Sequence, residues 1–370
     1  MDQNLRPKIK IGIVGGSFDS TIAKTHFRAM HATNKFKIVC GCFSRKKNKN
    51  ITNANFYSLP MNKVYNNFKK FILCENKNID LALILTPPAG RSKIYSELAK
   101  KKIGIIFEKP FEANFKNANK IYEILKKKNI FITSTYNYLG YPAIMEIKPL
   151  LRKIGKINNV VLNMPQQGST LYNNFIKKWR TKDLIIPNLY LDLGSHLLSL
   201  IIYFFNKLPI KVNSFETKNT KKPYVDNTYV WLMFKDFPGQ LWFSKNSTGK
   251  RNELSIEIFG SKGGLKWEHS KSEIIKLYDS KGNINVINRL TKKTKYLKNN
   301  NLFTYSAGHP SGFLDAFINI YNEIYSIYRK EKNKSQILLN LKNNLNIINI
   351  LQSIHQSALK QKWQKIKLNN

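Results

Sequence analysis

Ile105-Ile106-Phe107-Glu108-Lys109-Pro110-Phe111 opens on an apolar run and continues into two charges and a proline. The run reads as a short strand buried on both faces. Pro110 disfavours helical geometry at Lys109 and holds it extended. A carboxylate and an ammonium therefore arrive at the carboxyl end of the strand, where the chain must turn. Ligands of open α/β sheets bind in the crevice outside those carboxyl ends. A Glu-Lys pair at a strand end is ordinarily a solvated surface feature. Here the segments on either side point to the same crevice, which makes Glu108 and Lys109 candidates for chemistry.

Upstream, Ile9 to Val14 is an apolar strand that ends in Gly15-Gly16-Ser17, and a helical pattern begins near Ile22. Strand, glycine turn and helix form the context of a dinucleotide fingerprint. Glycines let the backbone approach a pyrophosphate, and the helix N-terminus offers amide donors. The match to G-x-G-x-x-G is imperfect: Ser17 stands at the second glycine, Ala23 is the equivalent of the third, and Phe18 to Thr21 widen the loop. The next strand, Phe36 to Phe43, is followed by Ser44-Arg45-Lys46-Lys47 with no acidic residue for a ribose diol. Ser44 and Arg45 suit a 2′-phosphate instead, which favours NADP over NAD; the alternative is that Arg45 belongs to the general excess of basic residues. Strands Ile79 to Leu85 (then Thr86-Pro87-Pro88) and Ile130 to Thr135 alternate with helices Ser92 to Lys101 and Phe115 to Lys128. The alternation predicts an N-terminal, doubly wound parallel sheet of Rossmann type over residues 1–135.

After Tyr136-Asn137-Tyr138 the pattern changes. A helix from Ala143 and a strand from Ile157 lead to a polar loop with Gln166, Gln167, Trp179 and Arg180. A helix over Leu189 to Phe205 and several strands without intervening helices follow, then two terminal helices, Ser311 to Lys330 and Lys334 to Lys360. Residues 136–370 are expected to form an α+β domain with an open, mostly antiparallel sheet, the C-terminal helix being able to return to the first domain. Within it, Leu191-Asp192-Leu193-Gly194-Ser195-His196 places Asp192 and His196 four apart on one helix face. A carboxylate beside an imidazole, with Lys109 nearby, suits proton transfer near neutral pH. A purely structural Asp-His pair is the competing reading.

The chain has 370 residues, 42% of them hydrophobic, which suits two packed domains and argues against disorder. Its net charge of +40 suggests nucleic acid, but the lysines are scattered and no binding motif accompanies them. No nucleic-acid partner is expected. No apolar run reaches the length of a membrane span, and the polar stretch Met1 to Lys10 runs straight into a strand, so no signal peptide, no membrane partner and a cytoplasmic location are expected. Cys40, Cys42 and Cys74 have no metal-ligand spacing.

The chain resembles the Gfo/Idh/MocA family of NAD(P)-dependent sugar and inositol dehydrogenases. The resemblance rests on the N-terminal GIVGG, on Glu108-Lys109-Pro110 and on the D-x-G-x-H of Asp192 to His196. Tyr136-Asn137-Tyr138, Trp179-Arg180-Thr181, Gly263-Gly264-Leu265-Lys266-Trp267 and Gly308-His309-Pro310 extend it along the chain. The phosphate loop departs from the pattern, as do Pro88 and Arg91, where relatives commonly carry Asn and His. The resemblance implies that Lys109 hydrogen-bonds the reacting oxygen and that His196 is general base for oxidation and general acid for reduction. Asp192 would hold a neighbouring hydroxyl. Gly15, Gly16, Ser17, Ser44, Arg45, Thr86, Glu108 and Asn137 would line the NADP or NAD site, and Tyr138, Trp179, Arg180 and His309 the substrate side. The site would form where the two domains meet. The expected partner is a small polyol or sugar, with a homodimer or tetramer as the assembly. A nucleotide-sugar dehydrogenase, with Arg180 on a diphosphate, and a dinucleotide-sensing regulator without turnover are the other readings.

Overall fold

Five apolar runs of the first half pair side by side in parallel. They are β1 (Ile9–Gly15), β2 (Phe36–Cys42), β3 (Leu81–Leu85), β4 (Gly104–Glu108) and β5 (Ile132–Thr135), in the order β2-β1-β3-β4-β5. Every residue of β4 is buried, as its continuous apolar run requires. Side chains such as Leu83, Ile105 and Phe107 are fully inside, and burying each stabilises the fold by roughly 1.5–3 kcal/mol. The order reverses direction between β1 and β3, so the ligand crevice of this sheet lies at their carboxyl ends.

The computed structural model describes residues 7–168, 183–218, 224–331 and 337–367. The chain divides into two units, the first being Met1–Glu112, Lys116–Gly140 and Phe313–Leu345. Besides the sheet it holds α1 (Thr21–Thr33), α2 (Lys47–Phe56), α3 (Phe68–Glu75), α4 (Arg91–Lys100) and α5 (Phe115–Leu125). α2 has little apolar periodicity (Lys-Asn-Lys-Asn-Ile-Thr-Asn-Ala-Asn-Phe), so no helical pattern marks it in the sequence.

The second unit, Ala113–Phe115, Tyr141–Gly312 and Asn346–Asn370, carries α6 (Pro142–Ile154), α7 (Ser195–Phe205) and a nine-stranded sheet. Its strands are β6 (Ile157–Pro165), β7 (Lys211–Thr217), β8 (Asn227–Met233), β9 (Pro238–Ser244), β10 (Ser255–Gly260), β11 (Gly263–Glu268), β12 (Ile275–Asp279), β13 (Ile284–Ile287) and β14 (Gln364–Lys365). The order is β13-β12-β11-β10-β6-β9-β8-β7-β14. All neighbours run antiparallel except β6 and β9, which are parallel from Val160 opposite Gly239 to Pro165 opposite Ser244. One face alternates inward through Val160, Leu162, Val230, Leu241, Ile256 and Ile258, while the other exposes Phe215, Tyr229, Trp231 and Phe259.

The helix that joins the first unit is α8 (Phe313–Tyr328), the penultimate one; the unit boundary falls inside the last helix, α9 (Leu341–Lys360). α9 also starts later than its sequence pattern indicates. Asn340 accepts the Asn343 amide on its side-chain oxygen at 2.8 Å, an N-cap that fixes the start. No helix among the described residues is long and apolar enough to cross a membrane.

Candidate active site

Gly15, Thr86, Glu108-Lys109 and Asn137 stand at or just beyond the carboxyl ends of four neighbouring strands, β1, β3, β4 and β5. The ends are flush, with Gly15 opposite Leu85, Ile84 opposite Phe107 and Glu108 opposite Thr135. Gly15 and Gly16 have φ of +83° and +71°. A Cβ on Gly15 would lie 2.8 Å from the backbone of Leu85 and Thr86, so only glycine lets these two turns approach. The turn is braced by α2: Asn53 accepts the Phe18 amide at 2.7 Å and the Tyr57 hydroxyl donates to the Gly16 carbonyl at 2.6 Å. Asn53 also reaches the Ser17 hydroxyl at 3.4 Å.

Glu108 is buried and held from two sides. Its Oε1 accepts from Thr135 Oγ1 at 2.8 Å and meets His26 Nε2 at 3.1 Å. A carboxylate only accepts, so Nε2 carries a hydrogen. Nδ1 of the same fully buried ring meets the Tyr321 hydroxyl of α8 at 2.7 Å. Burial first, then the charge of Glu108, holds the Tyr321 phenol well above its ordinary range, so it keeps its proton. Burial pushes the Glu108 carboxyl up, but the His26 hydrogen bond, the nearby positive charges and Thr135 outweigh it. The net direction is down, and Glu108 is an anion.

Arg91, the first residue of α4, is 3% exposed. Its Nε donates to the Thr86 carbonyl at 2.9 Å, and Nη2 donates to the same oxygen. Its Nη1 donates to the Pro110 carbonyl at 2.5 Å and to the Glu108 carbonyl. Arg91 therefore ties the turns after β3 and β4 together. Half-buried Lys109 lies between the two carbonyls bonded on the β4 side.

A dinucleotide fits these residues. The glycine turn is open where a Cβ would close it, and Thr86 Oγ1 and Asn137 Nδ2 are buried with no hydrogen-bond partner. Both belong to the residues expected to line the cofactor site, and polar groups in that state are the kind a ligand satisfies. The first-turn amides of α1 add donors at the same end. Ser44 sits beyond β2, its amide bonded to Asn50 Oδ1 at 3.1 Å and its hydroxyl accepting from the Lys46 amide. Arg45 is exposed beside it.

In the second unit, Asp192 lies on a π-helical turn, Tyr190–Gly194, that runs into α7. The expected continuous α-helix is widened there for a local reason. Ser195 Oγ takes the Leu191 carbonyl at 2.7 Å, the acceptor its own amide would use in an α-helix. The Ser195 amide reaches back to Tyr190 instead. Gly194 makes the turn fit, since a Cβ would come within 2.9 Å of Leu351 and 3.2 Å of Phe243. π-turns of this sort recur at functional sites. His196 is buried at the first turn of α7. The Asp192 carboxylate forms an ion pair with Lys245, both side chains about one quarter exposed. Lys245 follows β9 directly, and the parallel partner β6 delivers Gln166 to the same end, where its amide bonds the Ser244 carbonyl at 2.8 Å.

Of the other expected residues, Tyr138 is buried in the first unit, in a turn against α8 where Asn319 bonds the Gly140 carbonyl at 3.0 Å. His309 is exposed in the second unit, its Nδ1 3.4 Å from the Ser306 hydroxyl. Trp179 and Arg180 lie outside the described residues. Sequence reasoning missed Lys245 and the bracing residues Asn53, Tyr57 and Tyr321. Only His26, four residues from Ile22 on the α1 pattern, carried a readable signal.

A sequence profile described as an oxidoreductase-family, NAD-binding Rossmann fold matches residues 9–136. The same family's C-terminal alpha/beta domain profile matches residues 148–368. A Saccharomyces cerevisiae protein described as uncharacterized is 24% identical over 249 residues, which is 66% of this chain and 70% of that protein. An inositol dehydrogenase homologue from Azotobacter vinelandii, solved with NAD+, superposes with a TM-score of 0.88 at 18% identity, covering 97% of each chain. A levoglucosan dehydrogenase solved with NADH gives 0.85 at 17% identity, covering 98% of this chain and 100% of that one. At such identities the structural likeness carries the fold. The two profile matches carry more, and with them the chain belongs to the Gfo/Idh/MocA oxidoreductase family.

Proposed function

We propose that this chain is an NAD(P)-dependent dehydrogenase that moves a hydride between the nicotinamide and a secondary alcohol or ketone of a sugar, inositol or related polyol. One observation carries the reading: a glycine turn, two unsatisfied buried polar groups and an anionic Glu108 beside Lys109 share the carboxyl ends of four adjacent parallel strands. Membership of an oxidoreductase family with an NAD-binding Rossmann region supports it. The inositol and levoglucosan dehydrogenases that share the fold suggest the substrate class.

Gly15, Gly16, Thr86, Glu108 and Asn137 would hold the dinucleotide, with Ser17, Ser44 and Arg45 beyond β1 and β2 on its adenosine side. The bound nicotinamide supplies the hydride chemistry. Lys109 donates to the reacting oxygen and stabilises the negative charge that develops there. His196 takes the hydroxyl proton during oxidation and returns it during reduction. Asp192 accepts from a neighbouring substrate hydroxyl, and its ion pair with Lys245 orients it. Lys109 belongs to one unit and the Asp192-His196 pair to the other.

The test is reduced-nicotinamide formation at 340 nm across sugars, inositols and anhydrosugars with both cofactors. Turnover of a polyol supports the reading; no turnover with any of them, by enzyme that binds NADH, rejects it. The exposed aromatic face of the second sheet supports assembly of identical chains, which light scattering measures.

A further inference from the structure

The turns after β3 and β4 are joined by one buried side chain that the proposed reaction does not use. Burying a guanidinium is costly unless its donors are satisfied. Arg91 meets that condition mainly on backbone oxygens, donating to the carbonyls of Thr86, Glu108 and Pro110, with the Tyr95 hydroxyl as a side-chain partner. These carbonyls sit at the carboxyl ends of two parallel strands and point into one place. A planar fork of five N–H groups can serve all three at once, whereas an ammonium donates from a single point. Ser92 extends the seam: its amide lies 3.3 Å from Glu112 Oε2, its hydroxyl donates to the same oxygen, and Glu112 is fully buried. The N-terminus of α4 is thereby stitched to residues 108–112, on both sides of Lys109.

We infer that Arg91 is the positioning residue of Lys109. It pins the carbonyl before Lys109 and the carbonyl after Pro110, so the lysine leaves the backbone at a fixed place and direction. Through the Thr86 carbonyl it holds that place in register with the turn against Gly15. The inference rests on the functional reading above for its catalytic consequence, and on the hydrogen-bond geometry alone for its structural one. Without Arg91, three carbonyls lose their donor and the Lys109 turn relaxes. A misplacement of about 1 Å at a reacting group can cost roughly 100-fold in rate.

The test compares Arg91→Ala, Arg91→Gln and Arg91→Lys with the wild-type protein. Each folded variant is expected to lose about 30- to 100-fold in kcat with little change in KM or in NADH affinity. Millimolar guanidinium is expected to restore part of the Arg91→Ala rate and nothing to Lys109→Ala. In parallel, the rate at which an amine reagent labels Lys109 is followed by mass spectrometry, the other lysines serving as reference. Substitution of Arg91 should shift Lys109 alone. If Arg91→Ala does not fold, Arg91→Lys decides, because it keeps the charge and loses the fork. A folded Arg91→Lys with wild-type kcat and unchanged Lys109 labelling overturns the inference. If the wild-type protein oxidises no polyol, the functional reading fails and labelling still decides: a shift at Lys109 upholds the positioning role and its absence removes it.

Discussion

The two units hold their candidate residues by different means. In the first, the candidate residues stand at the end of a strand or within three residues of it, each strand being set by an apolar run, and neighbouring strands end in register. In the second, Asp192 stands on a helix whose π-turn is shaped by one hydroxyl, one glycine and a side chain far along the chain, Leu351. Strand ends are fixed by local pattern and sheet pairing, which tolerate change in distant sequence. A widened helical turn depends on what it packs against. The first arrangement should fail through its glycines and clamps, the second through its neighbours.

The largest effect that would break this comparison is catalytic. Lys109→Ala and His196→Ala are each expected to cut kcat by at least about 100-fold, because charge stabilisation and general base catalysis contribute that much. NADH titration and thermal unfolding of the same preparations should be nearly unchanged. A destabilised but fully active His196→Ala protein would show the Asp192-His196 pair to be structural.

Next come two glycines with opposite signatures. Gly15→Ala forces a side chain into φ +83° against backbone 2.8 Å away, a strain of roughly 1–3 kcal/mol. NADH affinity should fall with the melting temperature. Gly194→Ala meets the flexible Leu351 at 2.9 Å, and overpacking of this kind costs roughly 1–3 kcal/mol. It should lower the melting temperature and kcat and leave NADH affinity alone. If both glycines give the same pattern, the contrast between the units is lost.

A smaller effect sharpens the role of the clamp on Glu108. Thr135 bonds this carboxylate, and Lys109, Tyr136 and Tyr321 interact with it electrostatically. His26→Leu removes the strongest influence opposing burial, so the carboxyl must titrate at higher pH than in the wild type. The anion is the form that accepts hydroxyl donors, so NADH affinity should be lost as pH falls through the raised value, while the wild-type protein keeps it to lower pH. His26→Gln, which retains a donor, should recover part of the range. Identical pH profiles for all three would remove Glu108 from the cofactor site. Smallest of all, Arg45→Ala should weaken NADP about two- to fivefold, as an exposed charge contact would, and leave NAD unchanged. Equal weakening of both cofactors, or a wild-type preference for NAD, counts against a 2′-phosphate contact.

How much of this was legible follows from the same contrast. Buried strands announce themselves by short apolar runs, so the parallel sheet and the placement of Gly15, Thr86, Glu108 and Lys109 could be read directly. The D-x-G-x-H spacing located Asp192 and His196 on a helix, but nothing local reveals that Ser195 would divert the Leu191 carbonyl. Lys245 was invisible because its partner lies 53 residues earlier in the chain, and one lysine among 62 basic residues carries no signal. Arg91 was legible only as an oddity. Its meaning lies in three carbonyls that sequence does not mark.

The one parallel pair in the second sheet has a consequence for how this unit is made. A sheet of hairpins can zip from turn to turn, but Val160 cannot meet Gly239 until the intervening chain has crossed over. That crossover contains the π-turn and α7. The centre of the sheet and the segment bearing Asp192 and His196 must therefore form in one non-local step, at a loop-closure cost that slows folding. A chain arrested before that step has neither a finished sheet nor the segment that carries Asp192 and His196 in place.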